Sequence, residues 1–130
     1  METNLSEPIR VFLVEDSAPI RERLAAMLGE IAGVELVGEA ETASAAAAGI
    51  LRSRPDTVIL DIGLAQGSGI DVLREVHPQA PQIAFIVLTN SFNPQYEKIC
   101  MAAGASHFID KSTQVAEVRR LVSARAQIRH

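Results

Sequence analysis

The stretch TVILDIGL, residues 57–64, decides the fold that this sequence specifies. Its β-branched and aliphatic side chains form a short apolar run that ends in one carboxylate, Asp61, and leads into a glycine-rich loop. A run this short favours a strand buried on both faces, because a helix needs more length and tolerates glycine poorly. Asp61 is then expected at the carboxyl end of a strand, the edge where ligands bind in open parallel α/β sheets.

Length and composition indicate one domain with an aliphatic core. The chain has 130 residues, of which 48% are hydrophobic and only 4% aromatic. A formal charge of -4 argues against direct nucleic-acid binding by this chain, since such binders are normally basic. Cys100 is the single cysteine, which excludes a disulfide framework and a cysteine metal site within the chain.

The polar N-terminus, residues 1–8, is interpreted as an extension before a domain at residues 9–129. It lacks the basic and apolar regions of a signal peptide, and no apolar run approaches membrane-spanning length. A cytoplasmic protein with no membrane contact is therefore expected, and the unpaired cysteine is compatible with a reducing compartment.

Apolar runs alternate with helical patterns along the whole chain, and right-handed crossovers then place the strands in parallel with helices on both faces. This predicts a doubly wound α/β domain of five strands and five helices. Ser17 and Thr42 are expected to cap the first two helices, and Tyr96, Ile99 and Cys100 to face inward from the fourth. The strands are predicted at residues 9–14, 34–37, 57–61, 83–88 and 107–109.

Polar residues end four of these strands, and parallel strands bring them to one edge of the sheet. They are Glu15 with Asp16, then Asp61, Thr89 and Lys111. Carboxylates brought together repel one another unless they share a cation, and hard oxygen ligands favour Mg²⁺ over zinc. With Mg²⁺ in place, Asp61 could attack phosphorus, while Lys111 and the Thr89 hydroxyl hold phosphoryl oxygens.

Each of these residues also has an ordinary structural explanation. Asp61 could form a turn, Thr89 could cap a helix, Lys111 could be a solvated cation, and the acids after the first strand could favour a helix N-terminus. Because chemically complementary side chains occur together at four strand ends, a functional site is favoured over four unrelated structural roles. The three histidines show no ligand spacing, so none is assigned to a metal or to catalysis.

With these residues in place, the sequence resembles the receiver domain of two-component response regulators from about Ile9 to its last helix. The resemblance implies a flavodoxin-like sheet of strand order 2-1-3-4-5. The matching residues are 14–16, 60–61 with 67–73, 87–89, and 104–111.

The resemblance also implies the role of each site residue. Asp61 would be phosphorylated by a phosphohistidine on a sensor histidine kinase or a histidine phosphotransfer protein. Family logic assigns Mg²⁺ to Asp16, Asp61 and the backbone carbonyl of Gly63, with Glu15 acting mainly through water, and it makes Lys111 a catalytic partner.

A conformational switch is implied as well. Thr89 and Phe108 look like a switch pair, in which the hydroxyl moves toward the phosphoryl group and the ring turns inward. The face formed by helix four, strand five and helix five would then signal to an unidentified partner protein or support a phosphorylation-dependent homodimer. Departures from the family pattern lie around the phosphate: Ser112 and Ala65 stand where proline is common, and Asn90 replaces a small residue.

Three other functions remain open at this point. The chain could be the excised regulatory part of a larger DNA-binding regulator, or an interaction module that no longer needs phosphate. It could also be a small Mg²⁺-dependent phosphatase with an aspartyl intermediate, although Gly63 stands where such an enzyme needs a second acid. A receiver that modifies only itself, and is not a turnover enzyme, is the favoured interpretation.

Overall fold

A computed structural model describes residues 7–64, 66–90, 93–110 and 115–129 of the chain. Strands and helices alternate from one end to the other, as the apolar pattern predicts. The elements are β1 (Ile9–Val14), α1 (Ala18–Gly29), β2 (Val34–Ala40), α2 (Ala43–Ser53), β3 (Thr57–Asp61), α3 (Gly69–Val76), β4 (Ala84–Thr89), α4 (Pro94–Ala102), β5 (His107–Asp110) and α5 (Val115–Arg129).

All five strands form one parallel sheet in the order β2-β1-β3-β4-β5. The register pairs Val14 of β1 with Leu60 of β3, and Asp61 of β3 with Leu88 of β4. The three central strands therefore end at the same edge, each one residue beyond its neighbour in the order β1, β3, β4. The predicted flavodoxin-like fold and strand order are confirmed.

The core consists of two apolar clusters, one on each face of the sheet. Successive residues of a strand point to opposite faces, so Val58 and Leu60 belong to one cluster and Ile59 to the other. Buried residues of α2, α3 and α4 complete the first cluster, whereas those of α1 and α5 complete the second. With apolar side chains on both faces, β3 is buried along its whole length, as its continuous apolar run predicts.

Phe12 of β1 shows how closely the first cluster is packed. A Cβ added to Gly38 in β2 would lie 2.6 Å from the Phe12 ring, and one added to Gly49 in α2 would lie 2.7 Å from it. The ring thus occupies the space that side chains at both positions would need. These two glycines let α2 sit against the sheet over a large aromatic side chain.

The predicted helix caps at Ser17 and Thr42 are confirmed. The Ser17 hydroxyl accepts a hydrogen bond from the Ile20 N–H, and the Thr42 hydroxyl accepts one from the Ala45 N–H. The predicted inward position of Tyr96 in α4 is wrong, since this side chain is 44% exposed. Among the residues of α4, only Cys100 is fully buried, because this short helix packs on the domain near its C-terminal end.

Cys100 supplies a test of this packing. The side chain is fully buried, and burial raises the pKa of its thiol above the usual value, against a smaller opposing effect of Arg74. Because the thiolate is the reactive form, we expect the folded protein to resist a thiol reagent such as DTNB near neutral pH. In urea, the same assay should detect one reactive thiol per chain. Complete reaction of Cys100 in the folded protein within the same time would contradict its buried position.

Candidate acidic phosphoacceptor site

Three carboxylates meet at the carboxyl edge of the sheet. Glu15 and Asp16 follow β1 directly, and Asp61 is the last residue of β3, the neighbouring strand. One carboxylate oxygen from each residue lies within 4.8 Å of the others. Glu15 and Asp61 are buried, with Asp61 only 2% exposed, and Asp16 is half-buried. The convergence that the sequence predicts for these three acids is therefore present.

Backbone amides orient two of these carboxylates. The Gly63 N–H donates to Asp61 Oδ1 at 2.9 Å, and the Ser17 N–H donates to Glu15 Oε2 at 3.1 Å. Like charges at such separations nevertheless repel one another, by about 1 kcal/mol per pair where water screens them well and by more where the pair is buried. A cluster of this kind, made of oxygen donors alone, fits a hard divalent cation such as Mg²⁺.

Thr89 ends β4 beside this cluster and is 3% exposed. It lines a cavity of about 250 Å³ between the β3–α3 loop, the end of β4 and the exposed Tyr96 of α4. Gly63 and Ser68 form part of the same wall. The cavity gives a small molecule or a side chain of another protein a path toward this edge of the sheet.

Phe108 lies in β5, next to β4 in the sheet. It pairs with Val87, while Thr89 pairs with Asp110, so Thr89 and Phe108 project from the same face of neighbouring strands. The Phe108 ring is half-buried and packs against the cluster that contains Val87. The two residues that the resemblance makes a switch pair are thus near one another on the sheet.

Lys111 lies outside the described residues, and so do Ala65 and Ser112. The structure therefore does not place the predicted cation of the site. Asn90, by contrast, is described, and it lines the same cavity as Thr89.

Arg21 is a residue of this site that the sequence reasoning missed. One of its terminal nitrogens donates to the Glu15 carbonyl oxygen at 2.8 Å, and the guanidinium also pairs with Glu39 and Glu41. A signal was available, since Arg21 stands in the second turn of α1 and helical side chains lean back toward the N-terminus. Its side chain thus reaches the acids that precede the helix.

Comparison with known proteins decides the family. The family model of the response regulator receiver domain matches residues 11–123, which is most of the chain. The chain belongs to the response regulator receiver domain family. The matched range begins inside β1 and ends inside α5, so it includes every element of the receiver fold and all three acids of the cluster.

Relatives of this receiver domain belong to several kinds of regulator. It is 32% identical over 114 residues to the DNA-binding transcriptional activator DevR/DosR of Mycobacterium tuberculosis, covering 88% of this chain and 52% of that protein. It is 31% identical over 123 residues to a protein-glutamate methylesterase/protein-glutamine glutaminase of Alkalilimnicola ehrlichii, covering 90% and 32% of the two chains. The chain thus spans about half or less of the length of these curated relatives.

Solved structures show the same fold. A two-component response regulator of the LuxR family from Aurantimonas superposes with a TM-score of 0.85 at 25% identity, covering 95% of this chain and 89% of that one. In the part of this receiver domain that the structure describes, no helix is long and apolar enough to cross a membrane.

Proposed function

We propose that Asp61 is the phosphoacceptor of this receiver domain and takes its phosphoryl group from a phosphohistidine on a sensor histidine kinase or a histidine phosphotransfer protein. The observation that supports this role is the meeting of three carboxylates within 4.8 Å at the edge of the sheet. Asp61 ends the central strand β3 there, and the Gly63 N–H fixes one of its carboxylate oxygens.

Phosphoryl transfer depends mainly on holding the nucleophile in position and on stabilising the charge of the transition state. A carboxylate oxygen of Asp61 attacks phosphorus, and an O–P bond forms as the N–P bond of the phosphohistidine breaks. The bonding electrons stay on that nitrogen, and the histidine leaves as neutral imidazole because its other ring nitrogen already carries a proton. The cavity bounded by Thr89, Gly63 and Tyr96 provides room for that donor beside the strand end. Asp61 itself is only 2% exposed, so few water molecules contact its carboxylate directly.

Asp16, Asp61 and the Gly63 carbonyl would hold Mg²⁺, with Glu15 acting mainly through water. When bound, Mg²⁺ neutralises the crowded carboxylates and the phosphoryl oxygens. Lys111 would hold one phosphoryl oxygen, and the Thr89 hydroxyl another. This receiver modifies only itself: Gly63 supplies no second acid to activate water for turnover of phosphomonoesters.

Phosphorylation would act through the face formed by α4, β5 and α5. A dianionic phosphoryl group with three strong acceptor oxygens attracts the Thr89 hydroxyl, and Phe108 turns into the space that this movement opens. The position of both side chains on one face of adjacent strands supports this coupling. The receiver domain, which we place at residues 9–129, would then bind a partner protein or a second copy of itself.

A direct experiment tests the phosphoacceptor role. The protein is incubated with a small acyl phosphate and Mg²⁺, and its intact mass is measured. We expect a gain of one phosphoryl group that depends on Mg²⁺ and disappears with excess EDTA. No gain from acyl phosphates, phosphoramidate or phosphorylated histidine phosphotransfer proteins would contradict the proposal.

A second candidate role is that of a regulatory part within a longer DNA-binding regulator. The observation that favours it is that the chain spans 52% of the related transcriptional activator DevR/DosR. The reading frame around the coding sequence distinguishes the two roles. A DNA-binding segment encoded in the same frame would support the second role, and phosphorylation of Asp61 would be common to both.

Asp16 provides a prediction about the metal. Wild-type protein in Mg²⁺ at about a hundred times the dissociation constant should gain about 2.7 kcal/mol in the free energy of unfolding. Asp16→Asn should lose most of this gain, yet in EDTA it should be about 1 kcal/mol more stable than wild type, because one repelling charge is gone. Urea unfolding with and without Mg²⁺ measures both effects.

Asp71→Asn is the matched control for this measurement. Asp71 is exposed in the first turn of α3 and is not part of the acidic cluster. The same chemical change there should leave the Mg²⁺ gain intact. If Asp16→Asn kept the full gain, Asp16 would not be a metal ligand.

A further inference from the structure

Arg21 connects the acidic strand end to a second loop. One terminal nitrogen donates to the Glu15 carbonyl oxygen at 2.8 Å, Nε lies 3.3 Å from a Glu39 carboxylate oxygen, and the other terminal nitrogen lies 3.6 Å from one of Glu41. The Arg21 side chain is only 16% exposed. The planar guanidinium therefore contacts Glu15 directly after β1, Glu39 near the end of β2, and Glu41 in the loop that follows β2.

The Glu15 carbonyl belongs to the peptide that joins Glu15 to Asp16. Holding that oxygen fixes the plane of this peptide, and the plane sets the directions in which both acidic side chains leave the backbone. We propose that Arg21 is a positioning residue for Mg²⁺, which keeps Glu15 and Asp16 in the arrangement that meets Asp61. This inference rests on the proposed function of the acidic cluster.

The three acceptors explain why arginine stands at this position. A guanidinium presents five N–H donors in a rigid planar fork, whereas a lysine ammonium is a point charge on a flexible stem. Glu39 and Glu41 are 41% and 64% exposed, so each ion pair contributes little to stability alone. Together they hold the fork in one orientation and offset its positive charge beside a site that must attract a cation.

The alternative is that Arg21 is merely a nearby positive charge. In that case it repels Mg²⁺, and its removal tightens Mg²⁺ binding. A positioning role predicts the opposite sign, because the acids lose their fixed backbone when the hydrogen bond is lost. The direction of the change in affinity therefore separates the two explanations.

The experiment is a calorimetric titration of the full chain with MgCl₂, without a phosphodonor. We expect Arg21→Gln to weaken Mg²⁺ binding about tenfold, the scale seen when groups that orient metal ligands are removed. Arg21→Lys, which keeps the charge but not the fork, should be intermediate. Arg23→Gln is the control, since Arg23 is an exposed arginine of the same helix, and it should bind like wild type.

Phosphorylation rates measured over a range of Mg²⁺ concentrations test whether Arg21 acts through the metal ligands. With acyl phosphate as donor, the Mg²⁺ concentration for half-maximal phosphorylation should rise in Arg21→Gln, while the rate at saturating Mg²⁺ returns close to the wild-type rate. A rate that stays low at saturating Mg²⁺ would contradict this role. If Arg21→Gln does not fold, the Mg²⁺ titration and the phosphorylation kinetics are both compared between Arg21→Lys and wild type.

Two outcomes overturn the inference while leaving the proposed function intact. In the first, wild-type protein binds Mg²⁺ and Arg21→Gln binds it equally well or more tightly. In the second, Arg21→Lys binds Mg²⁺ like wild type. Wild-type protein that binds no Mg²⁺ would refute the metal site and this inference together. Phosphorylation of Asp61 is measured separately, so its failure is not confused with either result.

Discussion

Asparagine in place of Asp61 is expected to reduce phosphoryl incorporation to background. The amide has nearly the shape of the carboxylate, and its oxygen can still accept the hydrogen bond from the Gly63 N–H, which is 2.9 Å long in the wild type. It lacks the anionic oxygen that attacks phosphorus, so the chemistry is lost while the surroundings of the side chain are preserved. Intact-mass measurement after incubation with acyl phosphate and Mg²⁺ gives the result directly.

Stability distinguishes this loss from misfolding. Asp61 is buried close to two other carboxylates, so neutralising it removes repulsion in the metal-free protein. Asp61→Asn should therefore unfold in EDTA at a urea concentration at least as high as wild type, with a gain of about 1 kcal/mol. Asp71→Asn should remain phosphorylated, and peptide mapping that found the phosphoryl group on another residue would disprove the assignment.

The acidic site could be predicted because its residues occupy positions that the fold determines. In a parallel sheet every strand runs in the same direction, so Asp61 after one apolar run and Glu15 with Asp16 after another must reach the same edge. The distance between the carboxylates required the structure, because it depends on the register of β1 and β3. That register pairs Val14 with Leu60, and no apolar pattern specifies it.

The length of β2 was underestimated for a related reason. The predicted strand stops at Val37, but β2 continues to Ala40 and keeps pairing with β1 after a shift in register at Phe12. Gly38 and Glu39 do not look like strand residues in sequence. At the sheet edge, however, Glu39 can expose its side chain to solvent while its backbone pairs, and this extension brings it to Arg21.

Contacts between polar side chains of separate elements were also beyond sequence reasoning. The ion pair of Arg21 with Glu39 joins α1 to β2, and neither residue stands in an apolar pattern that would reveal the pairing. Tyr96 shows the converse limit. Its helical spacing predicted burial, but its place beside the cavity at the end of β4 leaves the ring partly in solvent.

Gly69, the first residue of α3, lies against the backbone that carries Asp61. A Cβ at this position would be 2.6 Å from the Asp61 carbonyl oxygen and 2.7 Å from the Ile62 Cα, and neither backbone atom can rotate away as a side chain would. Alanine would therefore displace the end of β3 or the start of α3. This close approach explains why the glycine-rich loop returns to the sheet at a residue without a side chain.

We expect Gly69→Ala to lower the free energy of unfolding by about 1 to 3 kcal/mol, the usual cost of overpacking, although alanine favours a helix. Phosphorylation of Asp61 should slow about tenfold to a hundredfold, since small displacements of a reacting group cost that much. Gly29→Ala is the control: an added Cβ there meets no atom within 4 Å, so up to about 1 kcal/mol of stabilisation and a wild-type rate are expected. Urea unfolding and initial rates with acyl phosphate test both variants. If Gly69→Ala matched wild type in both, the contact with the Asp61 backbone would not hold the phosphoacceptor in place.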